Sequence, residues 1–255
     1  MRILAVDVGE SRVKILATGQ ETLREFASGP SLTAEAMVSG VLDAAEGWKF
    51  DLISIGYPGP VLRGKPVSEP LDLGPGWVGF DFEAAFGYSA CGVGTLDEAD
   101  GWVGFDFKVA FGCLVKLIND VEIQALGSYE GGKMLFLSLG TGLGSTMIVD
   151  GILEPMELGQ LPYRRGTYED YLGNRGLKRV GKVKWRRYAV DVAARLTAAL
   201  EPDYVVLGGG NAHLLKEMPP SCRAGDVANS FRGGFRLWEK AGDPRTSAPQ
   251  ATSGG

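Results

Sequence analysis

Two short apolar runs, each interrupted by a glycine-rich turn and then resumed, constrain this chain more than any other feature. The first is Ile3 to Val6, ending at Asp7, with Val8-Gly9-Glu10-Ser11 as the turn and Val13 to Leu16 returning. The second is Met134 to Leu139, with Gly140-Thr141-Gly142 in the turn and Ser145 to Val149 returning. Runs at so short a spacing read as β-hairpins. Glycine supplies 38 of 255 residues, about twice the usual ~7%, and shows no collagen period. The excess marks tight turns and places where backbone must approach something closely. A chain of 255 residues has room for one to two domains, and one bilobal enzyme unit suits it.

Further elements follow from periodicity. Ser31 to Trp48 predicts a helix with Met37, Val38, Val41, Leu42 and Ala45 on one face. Asp51 to Tyr57 reads as a strand stopped by Pro58-Gly59-Pro60, and Leu114 to Ile118 as another. Asp120 to Glu130 predicts a helix ended by Gly131-Gly132. In Lys182 to Leu200, Trp185, Ala189, Val192, Leu196 and Ala199 recur at helical steps. Tyr204 to Leu207 reads as a strand, turned by Gly208-Gly209-Gly210 into a helix over Ala212 to Glu217. Residues 240–255 are polar and rich in Pro, Gly and Ser, which predicts a disordered tail.

Composition excludes several classes. The net charge of -5 argues against a nucleic-acid binder, which normally shows a basic face. Cys91, Cys113 and Cys222 are scattered and read as free thiols, and the single histidine, His213, leaves no clustered zinc set. The N-terminus lacks the apolar core of a signal peptide. No apolar run approaches the ~18 residues of a membrane span. A soluble cytoplasmic protein is expected, without a membrane or nucleic-acid partner.

One segment is duplicated. GWVGFDFEAAFG, Gly76 to Gly87, returns as GWVGFDFKVAFG, Gly101 to Gly112, at an offset of 25 residues. Two copies are too few for a solenoid. One copy should sit in the fold, and the other should form an extra loop.

Five motifs carry candidate chemistry. In DVGESRVK, Asp7 ends a strand, Gly9 and Ser11 lie in the turn, and Lys14 is on the return. Turn N–H groups can hold phosphate oxygens, Asp7 could hold Mg²⁺ directly or through water, and Lys14 could meet a phosphate. In LGTGLGS, Gly140, Thr141 and Gly142 repeat the arrangement, and two such loops facing one another could clamp a polyphosphate chain. In IND, Asn119 and Asp120 follow a strand and open a helix. Asp120 is there either a helix cap or the acceptor of a proton from a substrate hydroxyl. Glu157 in MELGQ and Glu169 in TYEDY read as loop carboxylates able to bind sugar hydroxyls or as solvated surface charges. Gly208-Gly209-Gly210 could admit a nucleotide at a helix N-terminus. GSYEGGK, Gly127 to Lys133, matches a phosphate-loop pattern only in outline, because Met134 follows where Ser or Thr is needed.

In this order the motifs resemble the ROK family of sugar kinases within the actin/hexokinase/Hsp70 superfamily. DVGESRVK is similar to its first phosphate loop, GYPGP to its segment beside the sugar, DLGPGWVGFDF to its sugar loop, and IND to its Asn-Asp pair. LGTGLGS is similar to its second phosphate loop, ELGQ to its Glu-x-Gly-His motif, and VVLGGG to its adenosine loop. The missing cysteine-rich zinc loop resembles the polyphosphate glucokinase branch. The resemblance implies an α/β fold of two ribonuclease-H-like domains with an interdomain cleft. Their expected bounds are residues 1–117, carrying the duplicated segment 76–112, and residues 118–239. It implies a hexose kinase, a glucokinase, with Asp120 as general base on the sugar 6-hydroxyl. Pro58, Gly59, Asp72, Asn119, Asp120, Glu157, Gln160 and Glu169 would line the sugar. Asp7, Gly9, Ser11, Lys14, Gly140, Thr141, Gly142, Gly208, Gly209 and Gly210 would hold the donor, ATP or polyphosphate with Mg²⁺. A homodimer would be compatible. Gln160 stands where the family has histidine, and Asp72 where it has a sugar-binding asparagine. The alternative is a non-catalytic sugar-binding or regulatory protein of the same fold. The family's repressors carry an N-terminal helix-turn-helix, whereas the first strand here is expected to begin at Ile3, which argues against a repressor and leaves a pseudo-kinase as the alternative.

Overall fold

The computed structural model describes residues 1–90 and 114–239. The chain divides into two compact units, Met1–Ile123 and Gln124–Gly255.

In the first unit the order is β1 (Ile3–Val8), β2 (Arg12–Ala17), β3 (Arg24–Ala27), α1 (Ala34–Ala44), β4 (Leu52–Tyr57), a small hairpin β5 (Val61–Leu62) and β6 (Lys65–Pro66), α2 (Phe82–Ala90) and β7 (Leu114–Asn119). The sheet order is β3-β2-β1-β4-β7. β1 pairs antiparallel with β2 and parallel with β4. Leu4, Val6 and Val8 point into the core with Ile53, Ile55 and Tyr57, while Ile3 and Ala5 are buried on the opposite face. Burial on both faces is why the central strands read as unbroken apolar runs. Helix α1 starts at the Thr33 cap, whose hydroxyl accepts from the Ala36 N–H at 3.2 Å. It is therefore shorter than the predicted Ser31 to Trp48.

Helix α3 (Asp120–Ser128) follows β7 directly. In the second unit come β8 (Lys133–Leu139), β9 (Leu143–Val149), β10 (Ile152–Met156), a hairpin β11 (Pro162–Tyr163) and β12 (Gly166–Thr167), α4 (Tyr168–Leu172), α5 (Asn174–Leu200), β13 (Tyr204–Gly208), β14 (Cys222–Ala224) and α6 (Asn229–Arg236). The sheet order is β10-β9-β8-β13-β14. An antiparallel three-strand meander is followed by two parallel strands, the same topology as in the first unit. The expected ribonuclease-H-like α/β architecture is thus present in each unit. Leu135, Leu137 and Leu139 pack with Val205, Leu207 and the α5 residues Trp185, Val192 and Leu196.

The first repeat copy lies within the fold: Trp77 and Phe86 are fully buried and Phe82 nearly so. Glu69 holds it by accepting the Trp77 and Val78 N–H groups at 3.0 and 3.3 Å. The second copy and the 240–255 tail lie outside the described residues, as do Cys91 and Cys113. No helix among the described residues is long and apolar enough to cross a membrane.

Two sequence expectations are corrected. The helix expected over Ala212 to Glu217 is a single 3-10 turn, Ala212–Leu214. Asn211 N–H is drawn to Leu139 O at 2.8 Å, and Pro219-Pro220 follows too closely for a longer helix. The helix expected from Lys182 continues back to Asn174, across a break at Gly181, whose φ of 75° and ψ of 160° only glycine adopts readily.

The glycines of GSYEGGK serve packing. A Cβ on Gly127 would lie 1.9 Å from Asn229 O and 2.8 Å from Gly233 N, so α3 touches α6 backbone to backbone there. Gly127→Ala must push α6 away, and unfolding by denaturant should show a loss of about 3 kcal/mol. A loss within ~0.5 kcal/mol would mean that α6 is not held at this contact.

Candidate active-site residues

The β1 ladder brings the first carboxylates together. Asp7 pairs with Lys14 across the hairpin and with Gly56 on β4, so the three share one face of the sheet. A Cβ on Gly56 would lie 2.9 Å from Ile123 Cγ2 and 3.7 Å from Asp120 Cα. The missing side chain is what lets the start of α3 settle on the sheet beside Asp7. Asp120 keeps part of its surface in solvent, but its carboxyl is enclosed. Burial, then the charge of Asp7, then that of Glu10, push its pKa up to about 7, while backbone N–H groups of Val121 and Asp120 pull the other way. A carboxylate poised near neutrality is suited to take a proton from a hydroxyl.

The cap of α3 is supplied by Asn119. Its Oδ1 accepts the Val121 N–H at 2.9 Å, and its Nδ2 donates to Gly59 O at 2.8 Å. Asn119 therefore caps α3 and ties the Pro58-Gly59 turn to it, and Asp120 is the first helical residue. A Cβ on Gly59 would meet the Tyr57 ring at 2.7 Å, and Gly59 N–H donates to Tyr57 O at 2.9 Å. In the first glycine turn, Gly9 N–H is spent on Arg12 O at 3.0 Å, and Ser11 O accepts the Ser28 N–H at 3.0 Å. Ser28, which the sequence did not single out, has a buried hydroxyl without a partner among the described residues. Asp72 is exposed.

In the second unit Glu169 is the centre. Its carboxylate lies against the second glycine turn, where a Cβ on Gly142 would come within 2.8 Å of Oε2. Gln160 Nε2 donates to Oε2 at 3.5 Å, at the limit of a hydrogen bond. Gly159 is buried against Leu143 O, where a Cβ would sit 2.7 Å away. The motif ELGQ, the turn and Glu169 are thus one cluster. Glu157 is exposed at the head of the 3-10 turn Leu158–Gln160. Asn211 Nδ2 donates to Gly140 O at 3.2 Å and to Asn174 Oδ1 at 2.8 Å, and Asn174 N–H donates to Thr141 O at 3.0 Å. Sequence reading missed both asparagines, because each lies more than thirty residues from the turn it braces.

The third glycine cluster is largely spoken for. A Cβ on Gly208 would meet the Phe136 ring at 2.5 Å, and Gly209, at φ 81°, would meet Leu139 N at 2.6 Å. Only Gly210 faces open space, and His213 Nδ1 lies 2.7 Å from its carbonyl oxygen.

No protein-family model and no curated protein matches the sequence. Solved structures do match in fold. A ROK hexokinase from Thermus thermophilus superposes with TM-score 0.64 at 20% identity, over 92% of this chain and 96% of that one. A ROK family glucokinase from Streptomyces griseus, in complex with glucose and AMPPNP, gives 0.66 at 16%, over 93% and 99%. An inorganic polyphosphate/ATP-glucomannokinase from Arthrobacter sp. gives 0.61 at 18%, over 91% and 96%. A ROK family transcriptional regulator gives 0.61 at 13%, over 92% of this chain and 77% of that one. The fold is that of the ROK kinases and of regulators built on the same architecture.

Proposed function

We propose that the chain is a ROK-family hexose kinase, acting on glucose, with Asp120 as general base. The observation that carries this is the Asp120 carboxyl held near neutrality beside Asp7 on the first glycine hairpin. As a carboxylate it takes the proton of the sugar 6-hydroxyl. The hydroxyl oxygen then bonds to the terminal phosphorus, and the bond from that phosphorus to the bridging oxygen breaks, leaving a donor shorter by one phosphate. Catalysis is mostly positioning and charge stabilisation, as is usual for phosphoryl transfer. Asn119, Glu157, Gln160 and Glu169 are assigned to sugar hydroxyls; glutamine can donate and accept as a histidine would. Lys14 and the glycine turns at Gly9 and Gly140 to Gly142 are assigned to the donor's phosphates, ATP or polyphosphate.

Magnesium fits this residue set in one way. Among the described residues no group of three His, Cys, Asp or Glu could hold a metal. A Mg²⁺ ion commonly uses one or two carboxylates plus substrate phosphates, so Asp7 would hold it with the donor. The ion would neutralise charge on the transferring phosphoryl group.

The regulator among the fold relatives keeps a non-catalytic reading open. A coupled assay for glucose 6-phosphate, run with ATP and with polyphosphate, decides between them. Turnover with one donor at least is expected. Absence of turnover with both donors, on glucose and on other hexoses, would leave a sugar-binding pseudo-kinase.

A further inference from the structure

The glycine triplet after β13 ends beside the second glycine turn for a reason of register. β13 runs parallel to β8, with Gly208 opposite Ser138, so both strands deliver their following loops to the same edge of the sheet. Gly209, at φ 81°, brings the backbone so close that a Cβ would lie 2.6 Å from both the N and the O of Leu139. The next residue with a side chain is Asn211, half-buried, which the sequence gives no reason to single out. Its backbone N–H donates to Leu139 O at 2.8 Å. Its Nδ2 donates to Gly140 O at 3.2 Å and to Asn174 Oδ1 at 2.8 Å. Asn174, half-buried at the start of α5, donates its own N–H to Thr141 O at 3.0 Å.

Three consecutive carbonyls, those of Leu139, Gly140 and Thr141, are therefore all drawn to the two asparagines. In a planar trans peptide the N–H that follows a carbonyl points the opposite way. The N–H groups of Thr141 and Gly142 thus face away from Asn211 and Asn174. Gly140 N–H closes the turn on itself, donating to Gly142 O at 3.2 Å. Turn N–H groups held in one direction suit an anion. We propose that Asn211 is a positioning residue for the donor's phosphates: through Gly140 O and Asn174 it fixes the second glycine turn with its N–H groups turned towards them. On this account the glycine triplet serves to deliver Asn211 to the turn rather than to hold adenosine. The assignment rests on the phosphoryl-transfer reading above. Glu169, whose Oε2 approaches Gly142, is fixed separately. Its carbonyl accepts the Gly173 N–H at 2.8 Å, and the capping box of Thr167 and Asp170 starts its helix. A loosened turn should therefore disturb phosphate binding before it disturbs the sugar side.

The test compares Asn211→Ala, Asn211→Asp and Asn174→Ala with the parent. Asn211→Asp keeps the shape but sets a carboxylate oxygen, not a donor, against Gly140 O. Calorimetry measures AMPPNP, inorganic tripolyphosphate and glucose one at a time, and steady-state kinetics follow sugar phosphorylation. Asn211→Ala should raise the Kd of whichever phosphate probe the parent binds, and the donor KM, about tenfold. Asn211→Asp should raise them further. Asn174→Ala keeps its N–H on Thr141 O and should cost about threefold. Added to Asn211→Ala it should cost nothing more, because both act through one bridge. The glucose Kd should stay at the parent's value throughout. Should Asn211→Ala lower the thermal midpoint, Asn174→Ala reads the same bridge with less disturbance. Unchanged phosphate affinity in Asn211→Ala overturns the assignment. So does an equal loss of glucose affinity, which would make Asn211 a brace for the whole unit, or a parent that binds neither phosphate probe. Absence of turnover in a parent that binds a probe sinks the kinase reading alone, and the calorimetry still decides the role of Asn211.

Discussion

Asp120→Asn is expected to lower sugar phosphorylation by about 10²–10⁴ while leaving a folded protein that is more stable than the parent above neutral pH. The two effects have one cause. In the folded chain burial and the Asp7 charge raise the carboxyl to about 7, whereas an ordinary aspartate titrates at 3.8. The folded state thus keeps a proton that the unfolded state releases. The stability associated with that proton is fully present below the unfolded value and is lost as pH rises through the folded one. Asparagine is never charged, so it removes the penalty. The thermal midpoint of the variant should exceed that of the parent near pH 8, and the gap should narrow towards pH 5. The change across that window corresponds to about 1–3 kcal/mol. The parent's kcat/KM should rise with pH to a plateau, with an apparent pKa of about 7. Cap loss does not confuse the experiment, because the cap is Asn119, whose Oδ1 holds Val121 N–H at 2.9 Å. Full activity in Asp120→Asn would remove the mechanism, and an equal midpoint at both pH values would remove the buried-carboxyl account.

What the sequence showed, and what it hid, follows from the range of the forces involved. β1, β4, β8 and β13 are buried on both faces, so their apolar runs announced them within a residue or two. β3 is exposed along most of its length, and β14 has three residues, so neither has a pattern to read. α6 contains two adjacent glycines, which helix propensity disfavours, and forms because its own glycine backbone and Gly127 allow close contact. The site divides the same way. Asp7 and Asp120 stand out as carboxylates at strand and helix ends. That Asn119 caps α3, that Glu169 rests on Gly142, and that Asn211 ties two loops together are tertiary facts with no local signature. The glycine triplet has a packing reason that no local signal shows: a Cβ on Gly208 or Gly209 would meet Phe136 or Leu139.

The duplicated segment gives the largest expected loss of stability. A chain lacking residues 88–112 should fold with a thermal midpoint level with the parent's or above it. It retains the copy whose Trp77, Phe82 and Phe86 fill the first unit's core, and loop length alters stability only slowly. A chain lacking residues 76–100 should behave alike. The two copies differ only where Glu83 is exposed and Ala84 half-buried, so the Lys and Val of the other copy replace no core residue. In the first shortened chain Trp102 is absent and cannot stand in for Trp77. There Trp77→Ala should cost about 3–5 kcal/mol by denaturant unfolding. The indole is fully buried, packs 5.5 Å from the Tyr57 ring and 6.2 Å from Phe82, and donates its Nε1–H to Leu32 O at 3.3 Å. Removing it leaves that carbonyl without its side-chain donor and opens a cavity beside the Asn119-bound Pro58-Gly59 turn, so sugar affinity should fall together with stability. A cost below ~1 kcal/mol in the shortened chain would show that the first copy does not hold this core.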